Sequence, residues 1–345
     1  MTIAIFSKKE LAILQLFDLH SDIFTDIAIR RERGEKKVFD RIHFPRLKQG
    51  GVVAILCVIW VEPSYRGNEL QRFHSILAHV MHDLSECEHV AISSFGATEK
   101  LKSQPSDKIT VYLGLEGLTF MGNWDGSTSF ERVKHSINKL DKLDFQHAIF
   151  AWNEKNFLAT GTGCHERFQN DGLTAEGKFA VHILEKSNWL IDVSHLNEHS
   201  FWQVLQTSES PLLASHSNAR KLCDVDRNLT DEQIKAIVST GGIIGLNAYG
   251  GFVDEQKPTI SRFVDHMVYM AELVGIDCIS FGFDFMDYLE GYELDGPPIL
   301  LTEGLEDVTM IPYLIDTMIT RGFTSKEIEA VSFDNAVNFL QRVYQ

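Results

Sequence analysis

The sequence predicts an α/β protein, a closed (β/α)8 TIM barrel running through residues 1–345 as one domain. Three observations predict it. Eight short apolar runs, often β-branched, recur along the chain. The stretches between them carry helix start and stop signals. The length suits a barrel that wraps one core in a ring of helices, and no low-complexity linker, charge block or short repeat marks a boundary.

In chain order the runs are Ile13–Asp18, Val52–Trp60, Ile109–Leu115, Ala148–Trp152, Trp189–Val193, Pro211–Ser215, Ile243–Asn247 and Cys278–Phe283. They are largely apolar rather than alternating, which suits strands of a parallel sheet buried on both faces. Among the helix signals, Thr230 with Gln233 and Thr324 with Glu327 fit capping boxes, and Gly241 stands where a helix C-cap belongs. Between Ser261 and Val274 the side chains of Phe263, Met267, Met270 and Leu273 share one helical face. An open doubly wound sheet is the structural alternative.

Apolar residues make up 44% and charged residues 23%, enough for a sizeable core. The net charge of −16 repels phosphate backbones and anionic headgroups, so neither nucleic acid nor a membrane is an expected partner. The opening MTIAIFSKKELAILQLFDLH lacks the pattern of a secretory signal, and no apolar run approaches the ~20 residues of a membrane span. Five scattered cysteines (Cys57, Cys87, Cys164, Cys223, Cys278) without a CxxC pair argue against disulfides and thiolate zinc sites, and fit a reducing cytoplasm. The oligomeric state is open, a homodimer included.

Active sites of such barrels lie where the strands end, so the titratable residues after each run are the candidates. DLHSD gives His20 and Asp22, GLEG gives Glu116, DVSH gives His195, ASH gives His216 and FGFD gives Asp284. Positions i and i+2 of an extended strand point the same way, which would aim His20 and Asp22 at one ion. Imidazole and carboxylate donors suit Zn2+, and less so Mn2+, Co2+ or Fe2+.

Singly these residues say little. Fourteen histidines make a structural role for any one of them the better guess, Glu116 beside Gly117 could cap a helix, and Asp284 could pair with a lysine. The joint pattern at five segment ends is harder to reach by chance. His147 is expected to precede its strand, face the opposite end and be structural. HExxH, GxSxG and Walker A patterns are absent, and the glycines at 161–163 and 241–242 read as turns.

With these residues in place, the chain resembles the renal (membrane) dipeptidase family of the amidohydrolase superfamily over nearly its full length. The resemblance rests on DLHSD, GLEG, IDVSH, PLLASHSNARKLCDVDRN, GGIIGLNAYGGFV, LVGIDCISFGFDF and EGLEDV. It implies that His20 and Asp22 bind one zinc, that His195 and His216 bind a second, and that Glu116 bridges them. It further implies that Arg227 holds the substrate carboxylate and that Asp284 handles protons and the substrate amine. In two places the chain departs from the family. AWNEKN puts Asn153 where many relatives carry a histidine, and Phe285, Met286 and Asp287 replace the usual acidic residue and glycine after Asp284.

The expected chemistry is hydrolysis of small dipeptides by a hydroxide bridging two metals about 3.5 to 4 Å apart. One metal and Asn153 would stabilise the oxyanion, Asp284 would protonate the leaving amine, and Arg227 would clamp the terminal carboxylate. Tyr249 lines the pocket or fills the core. The alternatives are cleavage of a lactone, a cyclic amide or an N-acyl amino acid, or a metal-binding barrel without catalysis.

Overall fold

The computed structural model describes residues 14–102, 107–296 and 298–344. Nine parallel strands form its sheet: β1 Leu16–Ser21, β2 Val52–Trp60, β3 Val90–Ile92, β4 Ile109–Glu116, β5 Phe145–Ile149, β6 Leu190–Asp192, β7 Leu213–Ala214, β8 Ile243–Leu246 and β9 Ile279–Phe281. Eight of them close on themselves. β2 pairs with both β1 and β4, the order continues through β5, β6, β7, β8 and β9, and β9 returns to β1 through Asp18 and Phe281. The closed sheet removes the open doubly wound alternative.

A helix follows each barrel strand: α1 Ile23–Glu32, α2 Glu69–Glu86, α3 Ser129–Asp141, α4 Ala175–Lys186, α5 Glu198–Thr207, α6 Asp231–Ser239, α7 Ile260–Val274 and α8 Ile311–Thr320. Both expected capping boxes form, at Thr230 and Thr324, and a further one at Thr128 starts α3. Gly241 takes φ +80° just past α6, the left-handed backbone that ends helices. On α7 the side chains of Phe263, Met267 and Met270 are buried, as their spacing predicts, with Leu273 half-buried.

Several strands begin or end elsewhere than the apolar runs do. β5 starts three residues upstream of its expected start at Ala148, because Gln146 and His147 interrupt the run yet lie within the strand, His147 pairing with Leu190. His147 is therefore in mid-strand, fully buried, and not ahead of it. Ile13, the expected start of the first strand, lies outside the described residues. The unexpected β3 pairs only with the first residues of β4, before β5 joins β4 from Leu113 onward.

Two apolar layers hold the barrel. The outer layer packs strand faces against helices. The inner one collects Phe17, Leu19, Leu56, Tyr112, Leu213 and Ile243 from the early strand positions, and a C-terminal helix, α9 Asn335–Tyr344, plugs that end with Phe339 and Leu340. Each such buried side chain contributes about 1.5–3 kcal/mol. The plug leaves the opposite rim, where the strands end, as the open mouth.

Candidate functional site

Each candidate sits at or just past a strand end. His20 is the penultimate residue of β1, Glu116 the last of β4, and His216 follows β7 by two residues. Asp22 reaches the site differently from the expected i, i+2 placement. The β1–β2 register shifts between Asp18 and Ser21, and Asp22 stands at the start of α1 with φ −90° and ψ 19°. His195 and Asp284 hold left-handed backbone, φ 66° and 55°. That conformation costs about 1–3 kcal/mol each for a non-glycine residue. Hydrogen bonds from Thr162 N to His195 O (2.8 Å) and from Asp284 N to His20 O (3.3 Å) help to hold it.

The six side chains converge. Glu116 Oε1 lies 3.0 Å from His195 Nε2, and Glu116 Oε2 lies 3.0 Å from His20 Nε2. His195 Nε2 and His216 Nε2 are 3.0 Å apart, and the His20 and His216 rings stack at 3.6 Å. Asp22 Oδ2 and Asp284 Oδ1 approach His20 Nε2 to 3.8 and 3.9 Å. Two triads, His20–Glu116–His216 and His20–Asp22–Asp284, each bring their ligand atoms within 4.8 Å of one another. The first triad crosses the pairing that the family resemblance implies, since His20 faces both.

Three inward atoms, His20 Nε2, Asp22 Oδ1 and Glu116 Oε2, are buried without an aligned hydrogen-bond partner, although two of them sit 3.0 Å apart. Orphaned buried nitrogen and oxygen atoms aimed at one space are costly unless something binds them. Their chemistry fits a hard or borderline divalent cation.

The electrostatics reflect the crowding. Burial opposes ionisation of Glu116, but the adjacent His195 and His20 imidazoles outweigh it and hold the carboxyl below its usual range. His20 is pushed well up: burial works against its charge, and Glu116 and Asp22 overcome it. Burial, reinforced by Arg227, lowers His195 to about 4, and burial with the charge of His20 also holds His216 well below the usual imidazole range. Asp284 is raised well above a normal carboxyl, first by burial and then by the charges of Asp22 and Glu116. A carboxyl with a raised pKa is better suited to passing a proton.

A cavity of about 520 Å3 opens over these residues, lined by Asp22, Glu116, Asn153, His195, Tyr249 and Asp284 together with Trp60, Trp152, Phe252 and residues 289–296, 298 and 299. That volume suits a small ligand. Tyr249 is thus a pocket residue, and its hydroxyl donates to Pro298 O at 2.7 Å, tying the segment down. Asn153 turns its amide oxygen to His195 Nδ1 at 2.9 Å. Arg227 is not among the lining residues. It lies behind Phe252, with Nη1 donating to Ser217 Oγ (2.9 Å) and Nη2 to His216 O (2.7 Å), while Nε is buried without a partner.

A search for titratable residues past each run misses the groups beneath the site. Asn247 Nδ2 donates to Asp284 Oδ2 at 3.0 Å, and Ser215 Oγ meets His216 Nδ1 at 2.8 Å. His147 Nε2 pairs with Asp192 Oδ2 at 2.8 Å, and Asp192 Oδ1 accepts from Ser194 N and Ser215 N. Asp18 accepts from Phe283 N and His20 N, and burial pushes its carboxyl up to about 7. Asn247 and Ser215 stand in or beside the quoted motifs, so reading the neutral polar residues of those motifs would have found them.

Comparison with known proteins agrees with this geometry. A protein from Klebsiella pneumoniae, known only by its position 5′ of pqqA, is 34% identical over 205 residues, covering 56% of this chain and 70% of its own. The dipeptidase tcpJ of Claviceps purpurea is 26% identical over 322 residues, 89% of this chain and 70% of the relative. The crystal structure of a Rhodobacter sphaeroides metallopeptidase, liganded with a phosphinate mimic of the dipeptide L-Ala-D-Ala, superposes with a TM-score of 0.79 at 20% identity, over 96% of this chain and 99% of that one. The model of one family matches residues 8–345, and by that match the chain belongs to the membrane dipeptidases, peptidase family M19.

Proposed function

We propose that the protein hydrolyses the amide bond of small dipeptides at a centre of two divalent cations, Zn2+ in the first instance. The observation that carries this reading is Glu116, whose two oxygens each face a different imidazole at 3.0 Å. One carboxylate with an open oxygen on each side is suited to bridging. His20 and Asp22 would complete one cation position, and His195 and His216 the other. Cations bound there supply Lewis acidity, lowering the pKa of water and polarising a carbonyl.

The chain's own groups do the rest. Asp284, whose carboxyl burial pushes upward, passes a proton to the leaving amine nitrogen. The Asn153 amide oxygen is engaged with His195, so its NH2 group is the part left to donate to a developing oxyanion. Trp60, Trp152 and Phe252 wall the cavity and exclude water from the scissile bond. Arg227 supplies positive charge for a free terminal carboxylate. The family and the dipeptide mimic in the R. sphaeroides enzyme support a dipeptide as substrate.

Arg227 behind the cavity wall also favours a second reading, hydrolysis of a cyclic amide, a lactone or another substrate without that carboxylate. The deciding experiment measures zinc stoichiometry on the purified protein and turnover of an L,L and L,D dipeptide library, each member free and C-terminally amidated. Two zinc ions and selective cleavage of the free dipeptides support the proposal. Equal rates on amidated substrates select the second reading, and full activity after chelation removes both.

A further inference from the structure

We propose that Asn153, seated by the Gly161–Gly163 turn, is a positioning residue that sets the tautomer of His195 and thereby keeps the inward ring nitrogen, Nε2, bare toward the metal site. The inference rests on the metal-centre reading above. It gives Asn153 a role distinct from any contact with substrate.

His195 has two ring nitrogens with different surroundings. Nε2 points inward, 3.0 Å from both Glu116 Oε1 and His216 Nε2. Nδ1 points outward to Asn153 Oδ1 at 2.9 Å. A neutral imidazole carries one proton, and only its bare nitrogen can ligate a cation. The amide oxygen of Asn153 accepts but cannot donate, so the bond exists only when Nδ1 bears the proton. Nε2 is then the bare nitrogen, and it is the one facing Glu116. In the other tautomer, Nε2–H would close off the inward side, and Nδ1 would meet the Asn153 oxygen lone pair to lone pair.

Asn153 is itself held in this pose. Thr162 Oγ1 donates to the same amide oxygen at 3.4 Å, while Thr162 N donates to His195 O at 2.8 Å, so one residue grips both partners. The flanking glycines bring the turn this close. A Cβ on Gly161 would stand 1.6 Å from Trp152 O, and one on Gly163 would stand 2.8 Å from Asn153 Cβ. Neither position has room for a side chain. The GTG stretch, which resembles an ordinary turn in the sequence, therefore packs the 152–163 loop onto the back of His195.

Hydrogen-bond partners behind a metal ligand fix its tautomer and are worth about tenfold to a hundredfold in metal affinity. A neutral amide does this without the added basicity that a carboxylate would give the imidazole. The test compares wild type, Asn153→Leu, which removes the acceptor at similar size, and Asn153→Asp, which keeps an acceptor. Zn2+ affinity is read by competition with a chromophoric chelator, and the His195 Nδ1–H by 15N NMR of the zinc-loaded protein.

The expected result is two zinc ions in wild type, with a protected Nδ1–H at His195. Asn153→Leu weakens one of the two sites tenfold to a hundredfold and loses that protected proton, while Asn153→Asp binds at least as tightly as wild type. Unchanged affinity for both zinc ions in Asn153→Leu overturns the inference and leaves the metal reading standing. If the leucine variant fails to fold by circular dichroism, Asn153→Asp decides, and loss of one zinc site there overturns it. A wild-type protein that takes up no Zn2+ overturns the metal reading and this inference with it.

Discussion

Asn247 Nδ2 lies 3.0 Å from Asp284 Oδ2, leaving Oδ1 of the same carboxyl turned toward His20 at 3.9 Å. Asn247 is fully buried, and its own backbone N is held by Asn218 Oδ1 at 3.0 Å, so the donor that grips Asp284 is anchored in turn. One oxygen of Asp284 is thus fixed by the scaffold and the other is free to act.

Asp284→Asn removes the transferable proton while preserving shape. Turnover should fall about a hundredfold to ten-thousandfold with zinc content unchanged. Near-wild-type kcat at full zinc occupancy would exclude the proton role.

Asn247→Ala should lower kcat about tenfold to a hundredfold, the worth of one hydrogen bond to a charged or reacting group. If Asn247 works through Asp284, the double variant with Asp284→Asn should be no slower than Asp284→Asn alone. Additive losses in that cycle would show that Asn247 acts by another route.

Tyr249→Phe deletes the hydroxyl that donates to Pro298 O. Freed of this tie, the 289–299 segment should exchange amide hydrogens faster, and KM should rise severalfold with kcat little changed. Identical exchange in that segment would mean that the tie carries no weight.

Zinc removal should lower the melting temperature by several degrees and leave the helical signal in circular dichroism intact. The donors His20, Asp22 and Glu116 sit on a closed barrel that packing alone can hold, and a ligand at a thousand times its Kd adds about 4 kcal/mol. A melting curve insensitive to chelation and to added zinc would count against a cation there.

His266 on α7 gives a pH test remote from the site. Its Nδ1 accepts from Ala219 N at 3.1 Å and its Nε2 donates to Val253 O at 2.9 Å, a pattern only the neutral ring satisfies. Burial lowers its pKa to about 4. The unfolded chain takes up this proton near pH 6.5, so the stabilisation is complete above that value and is lost as the pH falls toward 4, on the order of 3 kcal/mol in all. Melts of His266→Gln should show a lower stability at pH 7.5 and a flatter decline between pH 7 and 4.5; an equally steep decline would place the acid sensitivity elsewhere.

Much of this architecture was legible because it follows from local chemistry. Val52–Trp60 is an unbroken apolar run and Ile109–Leu115 is broken only by Thr110, so their strands and the Glu116 that follows the second stand out. Where polar residues enter a strand, as Gln146 and His147 do in β5, the run starts too late and His147 is assigned to the wrong place. Asp22 has the right neighbour for the wrong reason, because a register shift and a helix start, rather than strand alternation, bring it to His20. The direction of a hydrogen bond is not written in residue type. Asn153 facing His195, Asn247 facing Asp284 and Arg227 turned to His216 O all depend on chain segments distant in sequence.

The seam of the barrel joins the two ends of the described chain: Asp18 accepts a hydrogen bond from Phe283 N, a partner 265 residues away. At ribosomal speeds of about 5–20 residues per second, β1 waits tens of seconds before β9 exists to receive it. Throughout that interval its apolar edge stays bare, and His20 and Asp22 have no enclosure in which to capture a cation. Metal loading should therefore be a late event that reports completion of synthesis. A chain stalled before Ile279 should emerge sticky and zinc-free, a natural client for chaperones that cover unpaired strands.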